Sequence, residues 1–269
     1  MEELTIQPHN KKASVVWGSA GERYDNISSS ISDAIEHCIQ RLDPKPGEKI
    51  IDVATGTGWA ARRIAARGAK VTGVDIGSEL IEAAKQHPGN TALEINFRIG
   101  DADALPFDDG AFDGVVSTFG VMFSSRPEIA AKELARVCRK GGRVALTTWA
   151  PGSTIAGMFK VMKPYMNLPS IPPPSPFEWG STERIVDLLG EHFELKFESG
   201  LSFCREENGN AVWNLFSKCY GPAKTLADSL EEGRRQKLRE EFVRFHENFM
   251  TEMGVSMPRE YLVTIGVKK

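Results

Sequence analysis

Ile50-Ile51-Asp52-Val53-Ala54-Thr55-Gly56-Thr57-Gly58 contains the glycine-rich turn that decides the fold of this chain. Its first residues are mostly β-branched and apolar, as in a buried strand, and the glycines then open an alanine-rich segment of helical composition. A turn from strand to helix exposes backbone N–H groups to which a nucleotide can bind. The spacing Gly56-x-Gly58-x-x-Ala61 also satisfies the dinucleotide-binding fingerprint. By itself, the turn therefore fits a nicotinamide-dependent oxidoreductase as well as other nucleotide-binding enzymes.

Around this turn, short apolar runs alternate with helical segments between residues 46 and 150. The predicted strands are Lys49–Val53, Lys70–Asp75, Asn96–Ile99, Phe112–Ser117 and Gly142–Thr148. The predicted helices are Trp59–Ala66, Ser78–Gln86, which Ser78 would cap, and Glu128–Cys138, which would stop at Lys140-Gly141-Gly142. This alternation indicates βαβ units and a parallel sheet that helices cover on both faces.

The flanking sequences predict additional helices and two more strands. Ser28–Leu42 has the apolar spacing of one amphipathic helix, and another helix is predicted from Ser181 to Leu189 with Ser181 or Thr182 as its cap. The proline-rich stretch from Leu168 to Pro176 is interpreted as a stiff surface connection. Phe193–Phe203 and Glu260–Val267 are predicted strands, and the intervening residues 208–253 are predicted to be helical.

Acidic residues at three strand ends help to separate the alternatives. Asp52 lies within the first strand, Asp75 ends the second and Asp101 follows the third. Because the carboxyl ends of parallel strands meet at one edge of a sheet, we expect these carboxylates to gather around the turn. A carboxylate at the position of Asp75 can accept hydrogen bonds from ribose hydroxyls both in nicotinamide-dependent oxidoreductases and in other enzymes that bind an adenosine. A nicotinamide cofactor, however, does not require a third acidic strand end. Capping of the turn by Asp52 and of the following helix by Asp75 remain alternatives.

Five motifs resemble, in order and spacing, those of the class I S-adenosylmethionine-dependent methyltransferases. They are Asp52–Gly58, Gly73–Asp75, Gly100–Phe107, Phe112–Ser117 and Leu134–Arg143. The sequence is most similar in look to the branch that contains quinone-biosynthesis and natural-product small-molecule methyltransferases. The resemblance covers residues 15–150 strongly and the remainder only in layout.

This resemblance implies a fold, a cofactor and a set of binding residues. The implied fold is a doubly wound Rossmann-like α/β fold with a seven-stranded, mostly parallel sheet, an antiparallel last strand and helical cap insertions. We divide the chain into N-terminal cap helices (1–45), a cofactor-binding α/β core (46–150) and the C-terminal part of the sheet with helical substrate-cap insertions (151–269). The implied residues for S-adenosyl-L-methionine are the aromatic residues Trp17 and Tyr24, the turn residues Asp52, Ala54, Thr55, Gly56 and Gly58, the ribose site Asp75 and Ile76, the adenine site Asp101 and Ala102, and the cleft residues Ser117 and Phe119. Packing of an N-terminal arm is an alternative role for Trp17.

Composition excludes several classes of protein. The 269 residues carry a formal net charge of -3, so no overall basic field attracts nucleic acid, and we interpret the basic run Arg234–Arg239 as a solvated helix face. A cytoplasmic protein without membrane segments is expected, because the sequence has neither an apolar signal-like start nor a membrane-length apolar run. The four cysteines lie far apart, so we expect reduced, buried thiols and no metal site.

The methyl acceptor is predicted largely by exclusion. Ser117-Thr118-Phe119-Gly120 stands where methyltransferases of base amines and glutamine amides have an Asn/Asp-Pro-Pro-Tyr/Phe turn, which disfavours those substrates. None of the five histidines is predicted at a strand end that faces the cleft, so no general base is assigned. We expect a small, partly apolar acceptor. A nicotinamide-dependent oxidoreductase and a non-catalytic cofactor-binding protein of the same fold remain alternatives, and the oligomeric state stays open.

Overall fold

A mixed sheet forms the centre of the protein. The computed structural model describes residues 6–167 and 172–269. In this part of the chain the strands are β1 (Lys49–Val53), β2 (Lys70–Asp75), β3 (Ile95–Ile99), β4 (Phe112–Thr118), β5 (Cys138–Trp149), β6 (Phe193–Glu206), β7 (Met250–Thr251) and β8 (Gly254–Lys268). Their order is β3-β2-β1-β4-β5-β8-β6, and the two-residue β7 pairs with β8. The chain reverses strand order between β1 and β4, which opens a crevice at the carboxyl ends of these strands.

Strand direction confirms the predicted fold class. β1 pairs in parallel with β2 and β4, β2 with β3, and β4 with β5. β8 runs antiparallel to both β5 and β6, so the last strand is the one that opposes the rest of the main sheet. β6 and β8 thus complete a Rossmann-like sheet of seven main strands, to which β7 adds a short extension. The division of the chain at residues 45 and 150 stays a prediction.

Helices cover the two faces of the sheet and one end of the crevice. They are α1 (Lys11–Gly18), α2 (Tyr24–Ser30), α3 (Ser32–Leu42), α4 (Trp59–Ala65), α5 (Ser78–Gln86), α6 (Pro127–Val137), α7 (Thr154–Met162), α8 (Thr182–Leu189), α9 (Gly209–Cys219), α10 (Gly221–Ser229) and α11 (Glu232–Glu247). Among the residues described, none of these helices is long and apolar enough to cross a bilayer. The four cysteines are buried and unpaired, as expected.

The prediction of a single helix from Ser28 to Leu42 was wrong. The chain breaks at Ile31, whose backbone angles of φ -121° and ψ 18° lie outside the helical range. Ile31 is buried and lines the crevice, so side-chain packing holds it in place although the apolar spacing on its two sides continues. The break separates α2, which carries Tyr24, from α3, which packs against the sheet.

Two predictions of helix ends were also wrong. Ser78 does not cap α5, because Gly77 occupies the cap position and its N–H donates to Asp75 at 2.8 Å, while the Ser78 hydroxyl donates to Glu79. The stop at Lys140-Gly141-Gly142 lies inside β5, since α6 already ends at Val137. Ser181 does cap α8, as predicted. Of the predicted proline-rich connection, residues 172–175 are exposed and irregular, and residues 168–171 lie outside the described part.

The cap helices α9 and α11 share a buried aromatic cluster with a histidine at its centre. His246 is fully buried, its ring lies 4.3 Å from that of Phe242, and its Nδ1–H donates to the Phe242 carbonyl at 2.8 Å. Nε2 has no hydrogen-bond partner among the described residues. Burial therefore lowers the pKa of His246 to about 4. The basic residues Arg234, Arg235, Lys237 and Arg239 on the same helix are exposed, which confirms the predicted solvated face.

We expect His246→Leu to remove an acid-dependent loss of stability. The pKa of His246 is lower in the folded than in the unfolded chain, where it is near 6.5, so the unfolded chain takes up the proton first as pH falls. This contribution is complete above pH 6.5 and is lost towards pH 4, by a total of about 3 kcal/mol. Urea unfolding at several pH values measures the difference between wild type and variant. Asp52, whose raised pKa of about 7 acts in the opposite direction, is common to both proteins and cancels.

Phe242→Leu is the matched control for this comparison, because it alters the same cluster without removing a titratable group. Its free energy of unfolding is expected to fall by a similar amount at every pH. A His246→Leu variant whose pH dependence equals that of wild type between pH 4 and 6.5 would contradict the assignment of a neutral buried histidine.

Candidate cofactor site

The turn between β1 and α4 requires glycine at two positions. Gly56 and Gly58 have φ angles of 57° and 83°, in the left-handed region. A Cβ on Gly58 would lie 2.5 Å from the ring of Phe97, and one on Gly56 would lie 3.2 Å from the ring of Tyr24. The turn therefore packs its backbone directly against two aromatic rings, one of which stands over the cleft.

Asp75 connects the glycine-rich turn after β1 to the turn between β2 and α5. Its carboxylate accepts a hydrogen bond from Gly56 N–H at 2.9 Å and from Gly77 N–H at 2.8 Å. The side chain is buried and lines the cleft, and this burial raises its pKa. Each carboxylate oxygen accepts one backbone N–H and keeps a further lone pair. The residue is thus oriented to accept additional hydrogen bonds from a ligand.

Asp52 lies behind the cleft lining. It is buried, and one carboxylate oxygen accepts the Thr55 hydroxyl at 2.6 Å, whereas the other has no partner among the described residues. Burial is the main cause of a pKa raised to about 7, to which the charge of Asp75 adds. Asp52 therefore orients Thr55, which does line the cleft.

Asp101 and Asp103 bind the N-terminal segment of the chain. Asp101 accepts hydrogen bonds from Gln7 N–H at 2.9 Å and from the Asn10 amide at 2.9 and 3.0 Å. Asp103 contacts His9 Nε2 at 2.8 Å and also the Asn10 amide, at 3.2 Å. We call Gln7, His9 and Asn10 the N-terminal clasp. Most of the acceptor capacity of Asp101 is used by this clasp and by the Asp103 N–H.

Aromatic rings form one wall of the cleft. The ring of Trp17 lies 4.8 Å from that of Phe123 and 6.4 Å from that of Tyr24. Phe119 has a φ of 57° and stacks on Trp149 at 3.9 Å. Burial, together with the charge of Asp75, raises the pKa of Tyr24, so its hydroxyl keeps its proton at neutral pH.

The structure gathers most of the predicted residues around one cleft. Those that line it are Trp17, Tyr24, Ala54, Thr55, Gly56, Asp75, Ile76, Asp101, Ala102 and Phe119. Asp52, Gly58 and Ser117 lie behind this lining. Ser117 is buried and ties two strand ends together, because its hydroxyl donates to Val53 at 2.7 Å and accepts from Val121 N–H at 3.0 Å.

Several lining residues were missed at the sequence level. They are the polar or aromatic residues Asn10, Asp103, Trp59 and Ser124. The alternation Asp101-x-Asp103 after β3 was a visible signal for Asp103, whereas Asn10 is 91 residues from Asp101 and had no local one. In the stretch after β4, Gly120 and Phe123 also line the cleft, whereas Met122 is buried in the core.

The charge of the cleft discriminates between the possible cofactors. Its described lining contains three aspartates, Asp75, Asp101 and Asp103, and no lysine, arginine or histidine. A pyrophosphate needs donors and positive charge, whereas adenosylmethionine carries a sulfonium, an ammonium group and ribose hydroxyls. The residues present therefore fit adenosylmethionine: a carboxylate is available for hydroxyl or ammonium groups, and aromatic rings stand where a cation can be held.

Comparisons with known proteins agree with this chemistry. A family model described as a methyltransferase domain matches residues 51–146. The uncharacterized protein Rv1403c of Mycobacterium tuberculosis is 36% identical over 193 residues, which cover 69% of this chain and 70% of that protein. The demethylmenaquinone methyltransferase of Corynebacterium kroppenstedtii is 28% identical over 151 residues, or 54% of this chain and 63% of that protein.

Solved structures share the fold at low sequence identity. The YcgJ protein of Bacillus subtilis superposes with a TM-score of 0.61 at 16% identity, covering 88% of this chain and 99% of that one. Phosphoethanolamine N-methyltransferase 2 of Haemonchus contortus, solved with S-adenosyl-L-methionine, has a TM-score of 0.55 at 16% identity, covering 88% of this chain and 52% of that one. From the matching family model, the relatives and the acidic, aromatic cleft, it follows that this chain belongs to the class I S-adenosyl-L-methionine-dependent methyltransferases.

Proposed function

We propose that this enzyme methylates a small, partly apolar molecule. The observation that carries the proposal is an aromatic cavity, lined by Phe159, Phe216 and Tyr220 of the cap, that adjoins the cofactor cleft. A concave, largely apolar cavity suits a molecule of small-ligand size better than a protein or nucleic acid chain. The name of the relative from Corynebacterium kroppenstedtii, demethylmenaquinone methyltransferase, agrees with an acceptor of this kind.

In our proposal, different residues of the cleft bind different parts of the cofactor. Ala54, Thr55 and Gly56 of the turn bind the methionine tail, with Asp52 acting behind them on its ammonium group through Thr55 or a water. Asp75 and Ile76 bind the ribose, and Gly58 shapes the turn. Asp101 and Ala102 bind the adenine. Trp17, Tyr24 and Phe119 form the aromatic wall on the sulfonium side. Ser117 supports this wall from behind through its hydrogen bonds to Val53 and Val121.

The chain contributes alignment and exclusion of water rather than covalent chemistry. When bound, adenosylmethionine would supply the methyl group from its sulfonium, and its sulfur would leave as a neutral thioether. Phe119 and Phe123 line both the cleft and the adjoining cavity, so they can keep an acceptor in line with that methyl group and keep water away. Tyr24 stands at the same junction, and its raised pKa makes it a hydrogen-bond donor rather than a base at neutral pH.

The test follows a labelled methyl group. Purified enzyme is incubated with methyl-labelled adenosylmethionine and a cell extract, which is then separated into small-molecule, protein and nucleic acid fractions. We expect the label in the small-molecule fraction, with adenosylhomocysteine formed in proportion. Label in protein or nucleic acid would contradict the proposal. Calorimetric binding of adenosylmethionine without any turnover in extracts or an acceptor panel would favour the non-catalytic alternative, and binding of NAD alone would favour the oxidoreductase.

We expect Asn10→Ala to weaken cofactor binding about tenfold through the N-terminal clasp. The Asn10 amide donates to both Asp101 and Asp103, and its loss leaves two neighbouring buried carboxylates with fewer donors. Hydrogen bonds to charged groups contribute about 1.5–3 kcal/mol, so the clasp should open more often and leave the adenine side exposed. Calorimetry with adenosylhomocysteine measures the affinity, and hydrogen exchange of α1 measures the opening.

Asn248→Ala is the control for the clasp, because this exposed asparagine at the end of α11 donates only to a nearby carbonyl. It should change neither measurement. Equal affinity and equal exchange in α1 for Asn10→Ala and wild type would show that the clasp does not act on the cofactor site.

A further inference from the structure

The aromatic cavity beside the cofactor cleft contains one buried cation. We call this cavity the acceptor chamber; it holds about 440 Å³ of empty space, its mouth included, and shares Tyr24, Ile31, Phe119 and Phe123 with the cleft. Apart from Ser30 and Arg259, its other described lining is apolar or aromatic. Arg259 of β8 alone among the described lining residues carries a formal charge.

Arg259 has hydrogen bonds but no carboxylate partner. Its side chain is 1% exposed. Its terminal nitrogens donate to the Phe203 carbonyl at 2.9 Å, to the Ser202 hydroxyl at 3.0 Å, and to the carbonyl and hydroxyl of Ser30. Within the described part of the chain no carboxylate comes within ion-pair distance of it, and its Nε has no hydrogen-bond partner. Asp33 is connected to it only through Ser202, whose hydroxyl donates to Asp33 at 2.8 Å.

A buried guanidinium without a counter-ion is expensive for a fold. Removing a charge from water costs several kcal/mol unless an opposite charge or full hydrogen bonding compensates for it, and buried arginines are normally paired. Carbonyl oxygens provide part of this compensation here. The guanidinium stays protonated although burial lowers its pKa, because arginine is not deprotonated in proteins. The wall of the chamber therefore has a permanent, partly compensated positive charge.

We propose that the acceptor chamber binds an aromatic or enolic molecule with an acidic oxygen, and that Arg259 is the charged partner of that oxygen. This inference rests on the proposed function, since it assigns the chamber to the methyl acceptor. The rings of the chamber pack on the flat part of the molecule, and the guanidinium selects the anionic group. An acceptor bound as its anion has already lost its proton to solvent, so the site needs no general base, in agreement with a described lining that contains no histidine.

Two tyrosines at the chamber can assist in this binding. Burial raises the pKa of Tyr220 and of Tyr24, so both hydroxyls keep their protons at neutral pH. A protonated phenol donates a hydrogen bond to an anion and does not repel it. The described wall of the chamber thus carries one cation and two phenol donors, and no carboxylate lines it.

The test compares two probes of the same shape and different charge. 2-Naphthoate is an anion at pH 7.5, and 2-naphthamide is its neutral counterpart. Each is titrated by calorimetry into the wild-type enzyme saturated with adenosylhomocysteine, so binding of the cofactor product is established separately in the same sample. We expect the anion to bind at least tenfold more tightly than the amide. This comparison needs no variant.

Substitution then assigns the preference to Arg259. Arg259→Met should bind adenosylhomocysteine as wild type does, because Arg259 does not line the cofactor cleft, but it should lose the preference for the anion. Arg259→Lys keeps the charge and should keep part of the preference. Arg205→Met is the matched control: Arg205, on β6, contacts the Phe203 ring at 4.8 Å but lines neither cavity, so its loss should leave the preference intact.

The outcomes that would overturn the inference are distinct from failure of the proposed function. Equal affinity of the two probes for wild type, no binding of either at millimolar concentration, or an unchanged anion preference in a folded Arg259→Met protein would each refute the role of Arg259. Failure to bind adenosylhomocysteine would instead refute the cofactor site. Label transfer to protein or nucleic acid would refute the small-molecule acceptor.

Discussion

Asp75→Ala should reduce the affinity for adenosylmethionine and adenosylhomocysteine by between about fivefold and about 150-fold. This range corresponds to a loss of about 1–3 kcal/mol, the magnitude of charge-assisted hydrogen bonds. In the variant, the ribose hydroxyls would lose the carboxylate that we propose as their acceptor. The N–H groups of Gly56 and Gly77 would lose the acceptor that now links the two turns. Calorimetry of the purified variant measures the effect. Asp75→Asn, which keeps one acceptor oxygen but no charge, should lie between the alanine variant and wild type.

Asp113→Ala is the matched control for Asp75. Asp113 also accepts a backbone N–H, from Lys49 at 2.8 Å, but it stands near the start of β4, away from the carboxyl edge of the sheet. Its removal should lower stability through loss of the contact with Arg139 and leave cofactor affinity unchanged. Unchanged affinity in Asp75→Ala would refute the ribose assignment.

Gly58→Ala should be the most damaging single substitution in the turn. A non-glycine residue in the left-handed region costs about 1–2 kcal/mol, and overpacking against a core ring typically costs a further 1–3 kcal/mol. The new methyl group would lie 2.5 Å from the ring of Phe97, which is buried in β3. We expect the free energy of unfolding to fall by about 2–5 kcal/mol and cofactor binding to be lost, because the turn can no longer present its N–H groups.

Two further variants separate the backbone effect from the packing effect. Combining Gly58→Ala with Phe97→Leu should relieve the clash but not the backbone strain. The double variant should therefore lose less free energy of unfolding than the sum of the losses in the two single variants. Gly152→Ala, at a site with nothing within 4 Å and no positive φ, should stay within about 0.5 kcal/mol of wild type. Urea unfolding measures wild type, the single variants Gly58→Ala, Phe97→Leu and Gly152→Ala, and the double variant. A Gly58→Ala protein as stable as Gly152→Ala would contradict the strained turn.

Local sequence patterns predicted the core strands and the cofactor turn well. β1 and β2 begin and end where the apolar runs of Lys49–Val53 and Lys70–Asp75 do. A buried strand must be apolar along its length and must be bounded by residues that can turn, so both of its ends are visible in a short window of sequence. The acidic strand ends were visible for the same reason, since Asp52 and Asp75 lie near or at the ends of such runs and Asp101 closely follows one.

Predictions failed where tertiary contacts overrode a local pattern. The apolar spacing of Ser28–Leu42 continues through Ile31, yet packing of this side chain at the cleft breaks the helix there. The Ser78 hydroxyl was a suitable cap by type, but the preceding turn positions the Gly77 N–H towards Asp75, a contact set by the geometry of the cleft. Periodicity and capping preferences describe a segment in isolation and do not contain these neighbours.

The sequence by itself determined the fold class and the position of the nucleotide turn, because both depend on residues that are close together along the chain. Only the tertiary structure decided which residues complete the site. The Asn10 side chain meets Asp101 across 91 residues, and Arg259 meets Ser30 across 229. Such contacts follow from how the strands are ordered and how the cap folds over the carboxyl edge of the sheet. Hydrogen bonds and buried charges are satisfied in space, so their partners are set by the packing of the whole chain and not by the local order of residues.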